Sequence, residues 1–243
     1  MPTPLQIHMF PCLNDNYGFL IHSSDTGETA AIDTPEHAKI SRACEEKDWT
    51  LTHIWNTHHH FDHVGGNLEL QKEFGVNILG PGHDKKRIPG ITRGVSGGDS
   101  FEFGGHNIHV LDTPGHTSSH IIYHVPSAEA AFVGDTLFVL GCGRLFEGTP
   151  AQMYDSLQAI SALPDNTKLY CAHEYTLSNA AFAVTVEPEN PYLLDYIEYA
   201  KSLREQGIPT VPTTVAMEKK TNPFVRAKNA ERLGEIRSAK DSF

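Results

Sequence analysis

The 243-residue sequence is poor in cysteine and has no long apolar segment. Its cysteines are Cys12, Cys44, Cys142 and Cys171. They include no CxxC pair, which argues against a disulfide framework and against a zinc site built from thiolates. No apolar run approaches the roughly 20 residues of a membrane span, and the first residues lack the charged and apolar regions of a signal peptide. We therefore expect a cytoplasmic protein without a membrane partner.

Positive charge is scarce over most of the chain. Residues 1–200 hold 10 Lys and Arg against 25 Asp and Glu, a net charge of −15. Residues 201–243 hold 9 against 5, a net charge of +4. An acidic body argues against a nucleic-acid surface. The basic tail is either a solvated helical face or one wall of a pocket for a small anion.

The hydrophobic pattern changes near residue 173. Before it, short alternating or apolar runs predict two blocks of strands, at 6–33 and 101–133, with further strands at 51–56, 76–79 and 168–172. Helical spacing appears at 35–49, 66–74 and 153–163. This α+β pattern predicts a two-sheet sandwich covered by helices in residues 1–173.

Only helices are predicted after residue 173, so residues 174–243 form a separate helical domain in this interpretation. One helix is expected to start at Asn190-Pro191 and to stop before Gly207, because Asn caps helix N-termini and Gly favours the position after the C-terminus. The same start signal at Asn222-Pro223 predicts a last helix that reaches Lys240.

One stretch, His58-His59-His60-Phe61-Asp62-His63, holds five residues that can bind a metal. In extended backbone His58 and His60 project to the same side, and His59 projects to the other side. A turn, rather than a strand, could aim Asp62 and His63 at one place. The stretch therefore predicts a strand end that opens into a metal-binding loop, with His59 outside the ligand set.

Further candidate ligands follow predicted strands at His116, Asp135 and His173. Each is weak evidence alone, because a single His or Asp after a strand is usually a solvated or hydrogen-bonded residue. Together with the loop they make seven ligands. If Asp135 bridges, one ion has His58, His60, His116 and Asp135, and the other has Asp62, His63, His173 and Asp135.

Seven such ligands fit a hydrolytic centre in which two divalent ions hold a bridging hydroxide. Imidazole and carboxylate ligands suit zinc and also accommodate iron or manganese. A structural zinc site is normally closed and rich in cysteine, so a catalytic site is favoured.

The same residues carry a family resemblance over essentially the whole chain. The HxHxDH stretch with downstream Pro-Gly-His116, Gly-Asp135-Thr and His173-Glu-Tyr resembles the metallo-β-lactamase superfamily. The segments Gly141-Cys-Gly-Arg144, His173-Glu-Tyr-Thr176 and Asn222-Pro-Phe224 resemble, within it, the glyoxalase II family of hydroxyacylglutathione hydrolases. The resemblance implies an αββα sandwich with a C-terminal helical domain, and the hydrolysis of S-D-lactoylglutathione to D-lactate and glutathione. We expect a monomer.

The resemblance also implies roles for individual residues. It assigns metal binding to the same seven positions, with Asp135 as the bridge and Asp62 as a ligand that orients the hydroxide. It suggests Arg144, Tyr175, Arg237 and Lys240 as glutathione contacts. Independently of the family, Arg237 and Lys240 are three residues apart on a predicted helix and share one face, where they could bind a carboxylate.

Three positions depart from the family pattern, namely Thr34, Ser119 and Phe146. They leave all seven ligand positions filled. The alternative functions are a glutathione persulfide dioxygenase with one iron, a β-lactamase-like hydrolase, a phosphodiesterase or nuclease, and a metal-binding module without activity. The β-lactamase alternative is disfavoured because those enzymes commonly have Cys where Asp135 lies.

Overall fold

The computed structural model describes residues 2–243, which divide into two compact units. One unit comprises the chain up to Asp112 together with Ser119–Phe132, and the other comprises Thr113–Ser118 and Val133–Phe243. The functional division predicted at residue 173 is a different boundary and stays a prediction. Within residues 2–243 no helix has both the length and the apolar character needed to cross a membrane.

The first unit is built mainly from strands. Its strands are β1 (Gln6–Cys12), β2 (Asn16–His22), β3 (Thr29–Ile32), β4 (His53–Trp55), β5 (Asn77–Pro81), β6 (Arg93–Val95), β7 (Ser100–Phe103), β8 (His106–Asp112), β9 (Ile121–Val125) and the start of β10 (Ala130–Gly134). Its helices are α1 (His37–Lys47), α2 (Phe61–Val64) and α3 (Asn67–Phe74). Strands β1 to β6 pair in chain order, antiparallel up to β3 and parallel from β3 onward. Strands β7 to β10 pair in chain order as antiparallel neighbours.

Aromatic side chains join the two groups of strands in the first unit. The fully buried ring of Trp55 on β4 lies 5.1 Å from the ring of Phe101 and 5.0 Å from that of Phe103, both on β7. Phe19 on β2 contacts Phe132 on β10 at 5.7 Å. These edge and tilted contacts show the two strand groups packed face to face. A separate apolar cluster, which includes Ile40 of α1, packs helices against strands β2 to β5, so the predicted sandwich is confirmed in this unit.

The second unit combines helices with short strands. Its helices are α4 (Pro150–Ser161), α5 (Thr176–Val186), α6 (Pro191–Glu205), α7 (Val215–Thr221) and α8 (Ala230–Asp241), and its strands are β11 (Leu137–Phe138), β12 (Gly141–Cys142), β13 (Lys168–Cys171) and β14 (Thr213–Thr214). Strands β13 and β14 pair antiparallel, and the Ala172 amide donates to the Gly134 carbonyl at the end of β10. Helix α4 starts three residues before the predicted Met153, because Thr149 and Gln152 form a capping box.

Two predictions for residues after 173 are wrong. The segment is not helical throughout, because β14 lies between α6 and α7. The last helix starts at Ala230 rather than at Asn222, and Asn229 caps it by accepting a hydrogen bond from the Arg232 amide at 2.9 Å. Asn222 instead ends α7 and is fully buried, where its side chain bonds distant backbone groups. The predicted helix from Pro191, capped by Asn190, is confirmed.

Glu218 of α7 is a buried carboxylate, 1% exposed. It accepts hydrogen bonds from the Thr213 hydroxyl at 2.7 Å, the Leu140 amide at 3.1 Å and the Asn222 side-chain amide at 2.8 Å. Burial raises the pKa of Glu218 to about 7, and the three hydrogen bonds only partly oppose that increase. The folded protein therefore holds a proton on Glu218 at pH values where the unfolded chain has lost it.

We expect this difference to make stability depend on pH. Because the pKa is raised on folding, unfolding releases a proton between pH 4.5, the ordinary pKa of a glutamate, and about pH 7, so stability falls as pH rises through that window. The free energy of unfolding falls by at most about 3 kcal/mol over this pH window. Urea unfolding of the wild type and of Glu218→Gln, at pH 5 and pH 8 and equal metal content, measures it.

In the Glu218→Gln variant this part of the decline should be absent. Equal pH dependence in the two proteins would contradict the assignment. Two other titratable groups, Tyr196 on α6 and Cys171 on β13, interact electrostatically with Glu218. Burial, and secondarily the Glu218 charge, raises the pKa of both, so they stay neutral throughout the window.

Candidate metal centre

The metal-binding loop, residues 57–63, leaves the carboxyl end of β4 and leads into α2. His58 is fully buried and His63 is 1% exposed, whereas His60 and Asp62 are half-buried. His58 Nε2 lies 3.0 Å from His60 Nδ1, and the ligand atoms of His58 and His63 are within 4.8 Å of each other. His63 Nε2 lies 3.2 Å from Asp62 Oδ2. The loop thus gathers four nitrogen and oxygen donors that can bind a metal.

Asp33 orients this loop and was not predicted from the sequence. It follows β3, which pairs in parallel with β4, so the ends of both strands lie side by side. Its carboxylate accepts from the Thr57 amide and hydroxyl, both at 2.8 Å, and its Oδ2 lies 2.8 Å from His63 Nδ1. A carboxylate on the second ring nitrogen is the usual arrangement for a histidine that binds metal through the first. An acidic residue directly after a buried strand next to β4 was the available signal.

Asn16 provides a second unpredicted contact. Its side-chain amide donates to Asp62 Oδ2 at 3.0 Å. Asn16 is buried at the start of β2. The contact holds the half-buried Asp62 carboxylate in one orientation.

His59 points to other partners, as its alternation with His58 and His60 predicted. Its Nε2 lies 3.0 Å from an Arg87 guanidinium nitrogen, and its Nδ1 lies 3.2 Å from Asp84 Oδ2. Asp84 in turn accepts two hydrogen bonds from Arg87. His59 therefore ties the loop to the segment after β5.

Thr34 is one of the three departures from the family pattern, and it fits its site. It is fully buried, its hydroxyl donates to Asn67 Oδ1 at 2.6 Å, and its amide donates to the His63 carbonyl at 2.9 Å. The threonine therefore supports α2 and α3 without changing a ligand. Nothing in the structure explains Ser119.

The second unit holds the other three predicted ligands close together. Asp135, directly after β10, lies with Oδ2 3.4 Å from His116 Nε2 and with Oδ1 3.4 Å from His173 Nε2. All three side chains are at least nine-tenths buried. The remaining ring nitrogen of His116, Nδ1, is 2.9 Å from the Arg144 carbonyl. The carboxylate lies between two imidazoles, with each oxygen facing a different ring, so oxygen and nitrogen donors meet on both sides of Asp135.

Gly143 explains part of the Gly141-Cys-Gly-Arg144 motif. A β-carbon at this position would lie 2.0 Å from the Asp135 carbonyl oxygen and 2.9 Å from His116 Nδ1. The absence of a side chain therefore lets this segment lie against the two ligands.

Aromatic rings surround His173. The Tyr175 ring stacks on the His173 ring at 4.7 Å with an interplanar angle of 6°, and Phe138 meets the two rings edge-on at 5.2 and 5.7 Å. Phe146, the third departure from the family pattern, packs against His116 at 5.2 Å but is 62% exposed. The rings fix the ligand orientations and add apolar surface beside them.

A cavity of about 620 Å³ in the second unit joins these ligands to the predicted substrate contacts. His116 and Asp135 line it together with Arg144, Tyr175, Arg237 and Lys240. Burial, and then the charges of Arg237 and Arg144, lowers the pKa of Lys240. The cavity therefore brings three cations close together, only partly offset by the Asp241 carboxylate, and a bound anion would relieve their mutual repulsion.

The cations of the cavity differ in how much they are already engaged. Arg237 is 5% exposed, donates to the Cys142 carbonyl at 2.8 Å and pairs with Asp241 at 2.9 Å. Arg144 is exposed and lies 3.7 Å from Asp241. Lys240 donates to the Ser178 carbonyl at 3.1 Å. Lys240 and Arg144 are therefore the more accessible cations, and Arg237 is largely held by the protein.

The donor chemistry fits a divalent metal. The predicted ligands offer imidazole nitrogens and carboxylate oxygens, and two of the histidines have their second nitrogen held by Asp33 or by the Arg144 carbonyl. All four cysteines are free and buried, and burial raises the pKa of Cys142 to about 11. Neutral thiols of this kind do not compete as ligands.

Family comparisons divide the chain into two matches. The model of the metallo-beta-lactamase superfamily matches residues 24–173, and the model described as hydroxyacylglutathione hydrolase C-terminus matches residues 174–243. A protein of Maricaulis maris (strain MCS10) named hydroxyacylglutathione hydrolase is 52% identical over 255 residues, covering 99% of this chain and 100% of the relative. One of the same name from Hyphomonas neptunium (strain ATCC 15444) is 50% identical, covering all of both chains.

Solved structures give the same fold. The chain is similar to ETHE1 from Myxococcus xanthus, with a TM-score of 0.74 and 28% identity over 96% of this chain and 90% of that one. It is also similar to the BLEG-1 B3 metallo-beta-lactamase, with a TM-score of 0.70 and 18% identity over 90% of this chain and 99% of that one. The second similarity concerns the fold alone.

Proposed function

The chain belongs to the metallo-β-lactamase superfamily and, within it, to the hydroxyacylglutathione hydrolases, and from this membership we propose that it hydrolyses S-D-lactoylglutathione to D-lactate and glutathione. This reaction is the second step of methylglyoxal detoxification. The fold is the αββα sandwich of the superfamily with a C-terminal helical domain. The enzyme is a thioester hydrolase.

One observation carries the substrate assignment. The cavity of the second unit has Asp135 and His116 on its wall together with the cations Arg144 and Lys240. Glutathione has carboxylates that can pair with the cations, and its thioester can then reach the ligand residues. Two accessible cations on the wall that also carries Asp135 favour a substrate with carboxylates over a neutral thioester.

Seven residues would hold two divalent ions, zinc being the proposed metal and iron or manganese the alternatives. They are His58, His60, Asp62, His63, His116, Asp135 and His173. When bound there, the ions supply a water of lowered pKa as nucleophile and polarise the thioester carbonyl.

The chain's own residues position these groups. Asp33 keeps the second ring nitrogen of His63 occupied, and Asn16 fixes the Asp62 carboxylate by a hydrogen bond of 3.0 Å. Asp62 and Asp135 are the proposed catalytic carboxylates, Asp62 by orienting the nucleophile and Asp135 by serving both ions. The leaving group is a thiolate, which departs without a dedicated general acid.

The domains have separate roles in this proposal. Residues 1–173 form the catalytic domain, and residues 174–243 form the substrate-binding domain that supplies Tyr175, Arg237 and Lys240. The monomeric state and the cytoplasmic location stay predictions.

The metal dependence can be tested directly. The metal-loaded protein should hydrolyse S-D-lactoylglutathione, and removal of metal with a chelator should abolish the activity because the proposed nucleophile is a metal-bound water. A spectrophotometric thioester assay on samples with measured metal content, before and after chelation and after zinc is restored, gives the result. Oxygen uptake on glutathione persulfide with one iron per chain, and no hydrolysis, would instead select the dioxygenase.

A further inference from the structure

The Asn222-Pro223-Phe224 motif contributes no proposed metal ligand and no proposed substrate contact, although its asparagine is fully buried. The Asn222 side-chain amide lies within hydrogen-bond distance of the Phe138 carbonyl at 3.2 Å and the Gly141 carbonyl at 2.9 Å. Its Oδ1 accepts from the Phe224 amide at 3.0 Å. The donors and the acceptor of this amide are thus all used.

These bonds hold the site hairpin, which we define as residues Leu137–Cys142 with strands β11 and β12. The two strands of the hairpin pair at only two positions, Leu137 with Cys142 and Phe138 with Gly141. Leu140, at its turn, has a φ of 60°, a backbone conformation that a leucine rarely adopts. So short a ladder with a strained turn needs support from outside the hairpin.

Glu218 supplies the second part of that support. Its Oε2 accepts from the Leu140 amide and from the Asn222 side chain, and its Oε1 accepts from the Thr213 hydroxyl on β14. Glu218 and Asn222 lie four residues apart, at the end of α7, so one helix end contacts the hairpin at Phe138, Leu140 and Gly141. Without these partners the buried backbone groups of the hairpin would be unsatisfied.

The site hairpin in turn positions the groups of the cavity. The Phe138 ring packs against both His173 and Tyr175, and the Cys142 carbonyl accepts a hydrogen bond from Arg237 at 2.8 Å. Phe138 and Cys142 also line the cavity. A displacement of the hairpin would therefore move the Tyr175 ring and the Arg237 guanidinium together.

We propose that Glu218 and Asn222 are positioning residues for the glutathione-binding cavity, acting through the site hairpin without touching substrate. The inference rests on the proposed function for the identity of the ligand. The contacts that carry it, between α7, the hairpin and the cavity wall, do not depend on that function. Asn179 adds a further bond, from its side-chain amide to the Val139 carbonyl at 3.0 Å.

The Glu218→Gln and Glu218→Ala variants separate positioning from general stabilisation. Glutamine can accept from Leu140 and Asn222 through its oxygen and donate to the Thr213 hydroxyl through its nitrogen, so it should keep KM within about twofold. Alanine removes all three bonds and should raise KM on the order of 10-fold, because small displacements of binding groups are costly to substrate alignment. The kcat and the metal content should change little.

Asn222→Ala should resemble Glu218→Ala, and Glu205→Ala, at an exposed position on α6, is the matched control. The Kd of an S-alkyl glutathione, which is not hydrolysed, should rise in proportion to KM. Glu218→Ala with a lowered Tm but an unchanged KM and Kd would overturn the proposal. So would a Glu218→Gln variant that is folded but as impaired as Glu218→Ala.

A crystal structure of Glu218→Ala gives a test independent of substrate. The Phe138 ring and the Arg237 guanidinium should be displaced relative to the wild type, and unchanged positions would overturn the proposal. Failure of the proposed function gives a different result, since the wild type itself would then lack activity on the glutathione thioester.

Discussion

Replacing Asp135 with alanine is expected to lower kcat on the order of 10³-fold and to remove bound metal at the same time. The carboxylate has one oxygen 3.4 Å from His116 Nε2 and the other 3.4 Å from His173 Nε2, so a single substitution removes a donor from both proposed ions. A loss of this size corresponds to about 4 kcal/mol of transition-state stabilisation, which is within the several kcal/mol that a bound metal supplies.

Steady-state kinetics and metal quantification on the same samples check this result. Asp135→Asn preserves the shape of the side chain but has one donor oxygen instead of two. This variant should therefore stay folded and still lose activity. Asp155→Ala, at an exposed position of α4, is the matched control and should keep both metal and turnover. A folded Asp135→Ala variant with full activity and no bound metal would contradict the proposed metal centre.

The sequence was most informative where local spacing has a direct geometric meaning. The alternation of His58, His59 and His60 predicted that His59 lies apart from its neighbours, and the structure places it against Arg87 and Asp84. The Asn190 cap likewise predicted the start of α6. These features depend on a few consecutive residues, so pattern and propensity are enough.

Contacts between residues far apart in the chain could not be predicted, because local patterns do not report them. Asp33 is 30 residues from His63 in the chain and meets it because β3 and β4 are parallel neighbours. The prediction that Asn222 starts a helix was wrong, because its side chain forms hydrogen bonds with a hairpin more than 80 residues earlier in the chain. A local capping signal cannot reveal a buried amide whose partners are set by tertiary packing.

The predicted face of α8 was informative but incomplete. Arg237 and Lys240 do share the cavity, as their spacing suggested. Spacing alone could not show that Arg237 is held by Asp241 and the Cys142 carbonyl, which leaves Lys240 as the more accessible cation. The two positions should therefore differ in their contribution to binding.

Lys240→Met is accordingly expected to raise KM for S-D-lactoylglutathione roughly 10- to 100-fold with little change in kcat. Lys240 packs its ammonium over the rings of Phe182 and Phe243, at 5.3 Å from each. Methionine keeps an unbranched apolar stem on those rings and removes the charge together with the hydrogen bond to the Ser178 carbonyl. Loss of a charged hydrogen bond to a substrate carboxylate costs about 2 kcal/mol, and every 1.4 kcal/mol is a factor of ten in affinity.

Salt provides a second measurement of the same interaction. If the Lys240 ammonium binds a carboxylate, KM of the wild type should rise with ionic strength more steeply than KM of Lys240→Met, because screening acts on the charge that the variant lacks. Lys228→Met removes an equal charge from an exposed position outside the cavity and should keep the wild-type KM. Equal KM values for Lys240→Met and Lys228→Met would show that Lys240 is not a substrate contact, and would leave Arg144 as the accessible cation of the cavity.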